Sequence, residues 1–219
     1  TCPPHTARVS ASAARVLRRL VAVAPPPVGS EAADTIWSVD SIAAVVSALR
    51  RRPDGSDAIQ AIAQTAWLLA QLAAAAQDDE SRGDIAGEEG VLESVTDALA
   101  LAKTPPGGCR GGATARRNAA AAASAVVSEL SWTPRVRVVV ISELRGGKMS
   151  VGLLDGLSAA LSIESEAVRS EPERQDPPDP CELGEHDPRA SAMRAVSRLA
   201  AADPFLARSL ASSLDGFFP

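Results

Sequence analysis

Apolar residues recur along the chain in two kinds of helical block. The first block ends in an aliphatic pair with a three-residue step, and it occurs as "AARVLRRL" (13–20), "TAWLLAQL" (65–72), "ASAVVSEL" (123–130) and "AMRAVSRL" (192–199). The second has apolar residues at i, i+3 and i+7, which form one face of a helix. Its three copies are Ile42, Val45, Leu49; Leu92, Val95, Leu99; and Leu154, Leu157, Leu161. The two blocks alternate strictly, which predicts a chain of repeated helical units.

Proline and glycine separate these blocks. They cluster in "RRPDGSD" (51–57), "TPPGGCRGG" (104–112) and "WTP" (132–134). Clusters of this kind mark helix boundaries. One helix pair cannot cover its own apolar faces, so we expect neighbouring units to stack and build a continuous core.

Composition favours an all-α fold. Hydrophobic residues make up 46% of the 219 residues, and most of them are Ala, Leu and Val, whereas aromatic residues are 3% and Tyr is absent. Ala and Leu favour helices, and the aromatic side chains that favour strands are scarce. We therefore expect thin helices in close contact and little or no sheet.

The segment "AWLLAQLAAAAQDDESRGDIAGEEGVLESVTDAL" (66–99) resembles an armadillo repeat. "TAWLLAQLA" is similar to that family's long third helix, "SRGDIAGEEG" to its short first helix and glycine corner, and "VLESVTDAL" to its second helix. The similarity is best at 58–101. HEAT repeats share the periodicity, but the corner with Gly87 and Gly90 favours armadillo.

The resemblance implies an all-α fragment of a right-handed superhelix. The single solenoid would span 1–219, and its units would be a partial repeat at 7–24, repeats at about 30–75, 78–131 and 134–202, and a partial repeat at 203–219. The chain begins without Met and ends in "LDGFFP", which also suggests a fragment.

In armadillo proteins the third helices line a concave groove that holds extended peptides, so the resemblance also implies groove residues. Importin-alpha proteins carry Trp and Asn four residues apart on successive third helices, and Trp67 and Gln71 fall at those positions. The equivalent pairs are Arg15 with Arg19, Ala125 with Glu129, and Arg194 with Arg198. The predicted groove residues are therefore Arg15, Arg19, Trp67, Gln71, Glu129, Arg194 and Arg198.

The two arginine pairs suggest an acidic partner. Side chains at i and i+4 project side by side from a helix, and guanidinium groups suit carboxylates and phosphates. This is similar to the basic grooves of beta-catenin-like proteins, which take acidic extended segments. Two alternatives remain open: the arginines form ordinary solvated faces, and Trp67 packs against Ala-rich neighbours instead of a ligand.

An acidic segment lies between the last two long blocks. The net charge of the chain is −5, and residues 164–188 hold nine acidic residues against Arg169 and Arg174. High charge, proline and few large apolar residues predict a disordered insert. One hypothesis is that this insert folds back onto the arginines and competes with an acidic partner. Deleting 164–188 would then change the affinity for acidic partners at low salt.

Signals for catalysis or a metal are weak. "GGCRGG" and "RGGKMS" lack the spacing of nucleotide-binding loops and are interpreted as turns. His5 and His186 are the only histidines, which leaves a serine nucleophile without a nearby base. Together with Cys2 and Cys181 they form a formal zinc set, but they lie at opposite ends of the predicted solenoid. We expect no enzyme activity, no cofactor and no metal.

A membrane span and nucleic-acid binding are also disfavoured. Asp57 and Asp78 enclose twenty uncharged residues, but Gln60, Gln64 and Gln71 recur on one side of that segment, which favours a buried helix with one polar edge. The acidic net charge and the absence of a Lys-rich stripe argue against nucleic acid. The odd number of widely separated cysteines favours an intracellular compartment, cytoplasmic or nuclear.

The sequence thus predicts a non-catalytic scaffold for protein binding. Its partner would be an extended or acidic peptide segment of another protein on the concave surface. The alternative is a structural subunit that packs laterally in a larger assembly, of a cytoskeletal, transport or ubiquitin-ligase type.

Overall fold

The computed structural model describes the chain in nine stretches. These are residues 4–23, 30–36, 38–50, 55–76, 78–103, 112–146, 152–163, 188–205 and 207–208. The regular elements within them are all helices, so the predicted all-α class is confirmed for the described residues. The helices are α1 (Pro4–Val23), α2 (Glu31–Ile36), α3 (Val39–Leu49), α4 (Ser56–Ala75), α5 (Asp79–Gly87), α6 (Val91–Ala100), the 3-10 helix η1 (Leu101–Lys103), α7 (Gly112–Leu130), α8 (Pro134–Gly146), α9 (Leu153–Ser162) and α10 (Pro188–Ala202).

After α1, the α-helices follow one another in threes. The triplets are α2, α3, α4; then α5, α6, α7; then α8, α9, α10, and the last helix of each triplet is the longest. The four long sequence blocks lie in α1, α4, α7 and α10, and the three shorter blocks lie in α3, α6 and α9. The strict alternation of the two blocks is therefore reproduced by the helices.

Equivalent helices pack against one another in two rows. The long helices contact in the order α1, α4, α7, α10, and the middle helices contact in the order α3, α6, α9. Contacts between neighbours fit a parallel arrangement of the long helices. Near the N-terminal ends of α1 and α4, Nε of Arg8 lies 2.9 Å from Oδ2 of Asp57, and in the C-terminal halves of α7 and α10, Glu129 pairs with Arg198. One contiguous apolar core extends from α1 to α10.

Alanine lets the central long helix sit between two neighbours. Residues 119–123 of α7 are all Ala and all fully buried, and α7 contacts both α4 and α10. A methyl side chain keeps the interaxial distance short and loses no rotamer freedom on burial. The Ala-rich composition is therefore what allows the long helices to stack at close range.

The corner between α4 and α5 is fixed by polar contacts. The carboxylate of Asp78 caps α5 by accepting from the backbone N–H of Ser81 at 2.7 Å. Hydrogen bonds from Ser81 hold the pKa of Asp78 below its ordinary value, with a smaller contribution from the Arg82 charge. Arg82 also donates to the backbone oxygens of Ala73 and Ala76 at 3.1 and 2.9 Å, which satisfies carbonyls at the end of α4.

Of the described helices, α4 alone is long and apolar enough to cross a bilayer by length and composition. Most of its side chains are buried in the protein core, including Leu68 and Leu69. Of the three glutamines on its polar edge, Gln64 is buried, whereas Gln60 and Gln71 are partly exposed. This arrangement is typical of a core helix with one polar edge.

Several predicted features lie outside the described residues. The acidic insert falls there except for Pro188, which begins α10, and so does the proposed contact of the insert with the arginines. The three cysteines, His186, "GGCRGG" except for Gly112 and most of "RGGKMS" also lie outside, and the side chain of His5 is not described. Of the predicted partial repeat at 203–219, only 203–205 and 207–208 are described.

Candidate partner-binding face

The seven predicted groove residues lie on the four long helices, which pack side by side and in parallel. We call this set the ladder face: Arg15 and Arg19 on α1, Trp67 and Gln71 on α4, Glu129 on α7, and Arg194 and Arg198 on α10. Arg15, Arg19 and Arg194 are exposed, whereas Gln71, Glu129 and Arg198 are partly buried. The ladder face thus carries exposed positive charge on its first and last helices.

Trp67 lies in the core where three long helices meet. Its side chain is only 8% exposed, and its indole N–H donates to Oδ1 of Asn118 on α7 at 2.9 Å. The guanidinium carbon of Arg18 on α1 lies 5.9 Å from the centroid of the indole ring, which is cation–π distance. Of the two interpretations of Trp67, its burial favours packing over an open platform for a ligand.

Arg18 and Asn118 are two buried polar residues that the sequence reasoning missed. Both are more than nine-tenths buried, and both are in contact with Trp67. Asn118 lies seven residues before Ala125, so helical spacing alone could have placed it on the side of α7 that faces the ladder. Arg18 carried no comparable signal, because it sits between an aliphatic residue and a second arginine.

Glu129 and Arg198 form an ion pair across two neighbouring helices. Nη1 of Arg198 lies 2.6 Å from Oε1 of Glu129 and donates to the backbone oxygen of Ser128 at 3.1 Å. The carboxylate offsets the charge of Arg198, so the two arginines that α10 contributes to the ladder face differ. Arg194 remains the more exposed of the two and presents its charge to solvent.

The ladder face presents charged and hydrogen-bonding side chains. Its polar groups are guanidinium, amide and carboxylate side chains, which recognise partners through hydrogen bonds and charge. In the part of the chain that the structure describes, no group of three or more His, Cys, Asp or Glu side chains is placed to hold a metal ion.

Comparison of the chain with protein-family models, with curated proteins and with solved structures finds no match in any of the three.

Proposed function

We propose that the chain is a non-catalytic protein-interaction module of the armadillo type, whose ladder face holds an extended acidic segment of a partner protein. The observation that carries this proposal is the arrangement of charge on the four parallel long helices. Exposed arginines lie on α1 and α10, and the two helices between them carry the neutral amide of Gln71 and a carboxylate that is already paired.

The armadillo assignment is supported by the order and packing of the helices. Each triplet has two shorter helices followed by a longer one, and each long helix contacts the long helix of the next triplet. The middle helices contact their equivalents in the same order. Repetition of one three-helix unit in a right-handed superhelix would produce both rows.

The spacing of the charged helices suggests the length of the bound segment. The row from α1 to α10 includes three helix-to-helix steps of about 8–10 Å each, or roughly 24–30 Å in total. An extended peptide advances about 3.3 Å per residue, so it needs about eight residues to cover that distance. The segment should therefore carry two acidic clusters separated by about eight residues.

A pair of synthetic peptides tests this spacing. One carries two Asp and Glu clusters separated by about eight uncharged residues, and the other has the same composition with the clusters adjacent. We expect the first peptide to bind several-fold more tightly in fluorescence anisotropy at low salt, because it reaches both ends of the row. Equal affinities would mean that the chain responds to charge alone, and the proposal would fail.

Three variants locate the binding to the ladder face. Replacing Arg15 and Arg19 with Glu should weaken the widely spaced peptide strongly, and Arg194→Glu should remove its advantage over the other peptide. Arg135→Glu is the matched control, because Arg135 is an exposed arginine on α8, outside the long-helix row. The same loss with Arg135→Glu would contradict binding at the ladder face.

A structural role is the second candidate function, and two exposed apolar side chains favour it. Trp132, just before α8, is 45% exposed, and Val138 on α8 is 64% exposed. Neither belongs to the ladder face, so they offer apolar area for lateral packing in an assembly. A photocrosslinker placed at Trp132 or at Gln71 separates the two functions, because crosslinks to native partners from position 132 alone would favour the assembly.

A further inference from the structure

Helix α1 carries an exposed apolar stripe on the side that faces away from α4. Val9, Val16, Leu20 and Val23 follow one another at helical spacing, and their exposed fractions are 67%, 57%, 59% and 85%. Ala7, on the side packed against α4, is buried. At about 100° per residue, Val16 lies about 180° around the helix from Ala7, so the two sides are opposite.

The α1 end of the row of long helices differs from the rest of the row. Helices α4 and α7 each have a long helix on both sides, whereas α1 has α4 on one side only among the described residues. At the other end, Met193 is the one large apolar side chain among the exposed positions of α10, which otherwise hold Arg189, Ala190, Arg194, Ser197 and Ala201. Five of the nine strongly exposed large apolar side chains of the described residues lie on α1: Val9, Val16, Leu17, Leu20 and Val23.

The stripe has the shape that receives a helix. Its alternating steps of three and four residues, which continue through Ala13, form a straight seam of the kind that another helix covers with knobs-into-holes packing. Beside Leu17 and Leu20 the surface opens into an apolar cavity of about 570 Å³, which is also lined by Ile36, Val45 and Leu72. A large aliphatic side chain of the docked helix has room there.

Charge indicates what kind of helix fits. From Pro4 to Val23, α1 contains four arginines and no Asp or Glu. Arg15 and Arg19 lie along one edge of the stripe together with Arg8, whose charge is offset by its ion pair with Asp57 of α4. A second copy docking antiparallel by its own α1 would bring two such basic edges together and repel. A helix with carboxylates along one edge would be attracted.

We propose that this stripe docks an amphipathic helix of a partner protein, with large aliphatic residues at alternating steps of three and four and with Asp or Glu along one edge. The docked helix extends the row of long helices by one member beyond α1. The apolar positions of the stripe lie outside the ladder face, although its basic edge shares Arg15 and Arg19 with that face. The docking rests on the stripe and does not require that an extended segment binds the ladder face.

A designed helical peptide tests the docking on the whole chain. The probe is a dye-labelled peptide of about three heptads, with Leu at positions a and d and Glu at e and g, which repels its own copies. A second peptide has Lys in place of Glu. We expect the Glu peptide to bind at least about tenfold more tightly than the Lys peptide in fluorescence anisotropy.

Two matched variants locate this binding. Val16→Glu places a like charge in the stripe and should weaken the Glu peptide at least about tenfold. Val138→Glu on α8 is the control, because Val138 has nearly the same exposure as Val16 and lies on another helix. Both positions are exposed, so both variants should fold, which circular dichroism checks. Arg194→Glu, by contrast, should leave the helical peptide bound, which separates this docking from binding at the ladder face.

Three outcomes would overturn the proposal. The first is an equal response of the Val16→Glu and Val138→Glu variants. The second is no peptide binding together with a dimer in sedimentation velocity that Val16→Glu abolishes, which would assign the stripe to a second copy. The third is no peptide binding together with Val16-dependent binding to vesicles rich in phosphatidylserine, which would make the stripe a lipid-binding surface.

Discussion

Trp67 on α4 contacts both neighbouring long helices, α1 and α7. Its indole N–H donates to Asn118 of α7, and its ring lies beneath Arg18 of α1. Trp67→Phe keeps an aromatic ring but removes the donor and part of the buried volume. We expect it to lower the free energy of unfolding by about 1–3 kcal/mol, because a buried acceptor loses this hydrogen bond.

The measurement is urea denaturation followed by far-ultraviolet circular dichroism. Trp132→Phe is the control, since Trp132 is 45% exposed, and this change should alter the free energy of unfolding by less than about 0.5 kcal/mol. If both substitutions lower the stability equally, the indole contacts of Trp67 contribute nothing specific.

Asp78 should make the stability of the fold depend on pH in the acidic range. Its pKa is lowered in the folded chain from the ordinary value of 3.8, chiefly because Ser81 donates hydrogen bonds to the ionised carboxylate. A group with a lowered folded pKa stabilises the fold above its unfolded pKa and loses that effect as the pH falls through the folded pKa. The cap on α5 should therefore weaken below about pH 4.

Asp78→Asn separates the cap from its charge, because Asn is also a good N-cap but does not titrate in this range. We expect the melting temperatures of the parent chain and the variant to keep a constant difference from about pH 5 to pH 7. Below about pH 4 the difference should shift in favour of Asn. A difference that stays constant down to about pH 3 would show that the carboxylate of Asp78 is not held by Ser81 in solution.

At the scale of helices, α6 and α9 of the middle row approach each other closely at one glycine. A Cβ added at Gly156 of α9 would lie 2.6 Å from the Cβ of Leu99 on α6, and Leu99 is fully buried. Gly156→Ala should therefore push α6 and α9 apart and lower the free energy of unfolding by about 1–3 kcal/mol. Thermal and urea denaturation both measure this loss.

Gly83 of α5 provides the opposite case. A Cβ added there meets no atom within 4 Å, so Gly83→Ala adds helix propensity without a clash. We expect it to raise the free energy of unfolding by about 0.5–1 kcal/mol. A loss of stability from Gly83→Ala would contradict the open surroundings of Gly83 on α5. A gain of stability from Gly156→Ala would contradict the close contact between α9 and α6.

The longer helices could be predicted from the sequence because their periodicity is local. Steps of three and seven residues at Leu92, Val95 and Leu99 define the apolar face of α6 without any knowledge of its neighbours. The six-residue helix α2 has too few positions to show a period, so its tertiary contacts decide its structure. The corner with Gly87 and Gly90 could be recognised in the sequence. The contact of Gly156 with Leu99 could not, because it depends on how α9 and α6 approach each other.

The polar contacts of the candidate site could be predicted only in part. Spacing within a helix placed Arg194 and Arg198 on one face, but it could not show that Glu129 pairs with Arg198, because 69 residues separate the two. The contacts of Trp67 with Asn118 and with Arg18 could likewise not be predicted from spacing within one helix. Such pairs are fixed by the register between helices, and register follows from packing of the whole row.

At the scale of the whole molecule, the row of long helices offers two surfaces with different chemistry. The ladder face is polar and positively charged at both ends, whereas the stripe on α1 is apolar with one basic edge. Both proposed partners are attracted by opposite charge, so salt should weaken the binding of both. Binding at the apolar stripe should be less sensitive to salt than binding at the ladder face. Ionic strength therefore distinguishes the two modes of binding.

Glu129 is the one carboxylate among the ladder-face residues and lowers the positive charge of that face, so replacing it should strengthen the binding of an acidic peptide there. Glu129→Gln removes the carboxylate opposite Arg198 and leaves that guanidinium available to an acidic peptide. The stability cost should be below about 1 kcal/mol, because the pair is partly exposed to solvent. We expect the widely spaced acidic peptide to bind several-fold more tightly to this variant at low salt, as measured by fluorescence anisotropy, and the gain to disappear at high salt.

Glu93→Gln is the control for net charge. Glu93 lies on α6, outside the ladder face, and its carboxylate lies 3.6 Å from the guanidinium of Arg50. Both variants raise the net charge of the chain by one and release one arginine, but only Glu129→Gln releases it within the row of long helices. If Glu93→Gln strengthens peptide binding as much as Glu129→Gln does, the peptide senses the total charge of the protein, and the ladder face is not its site.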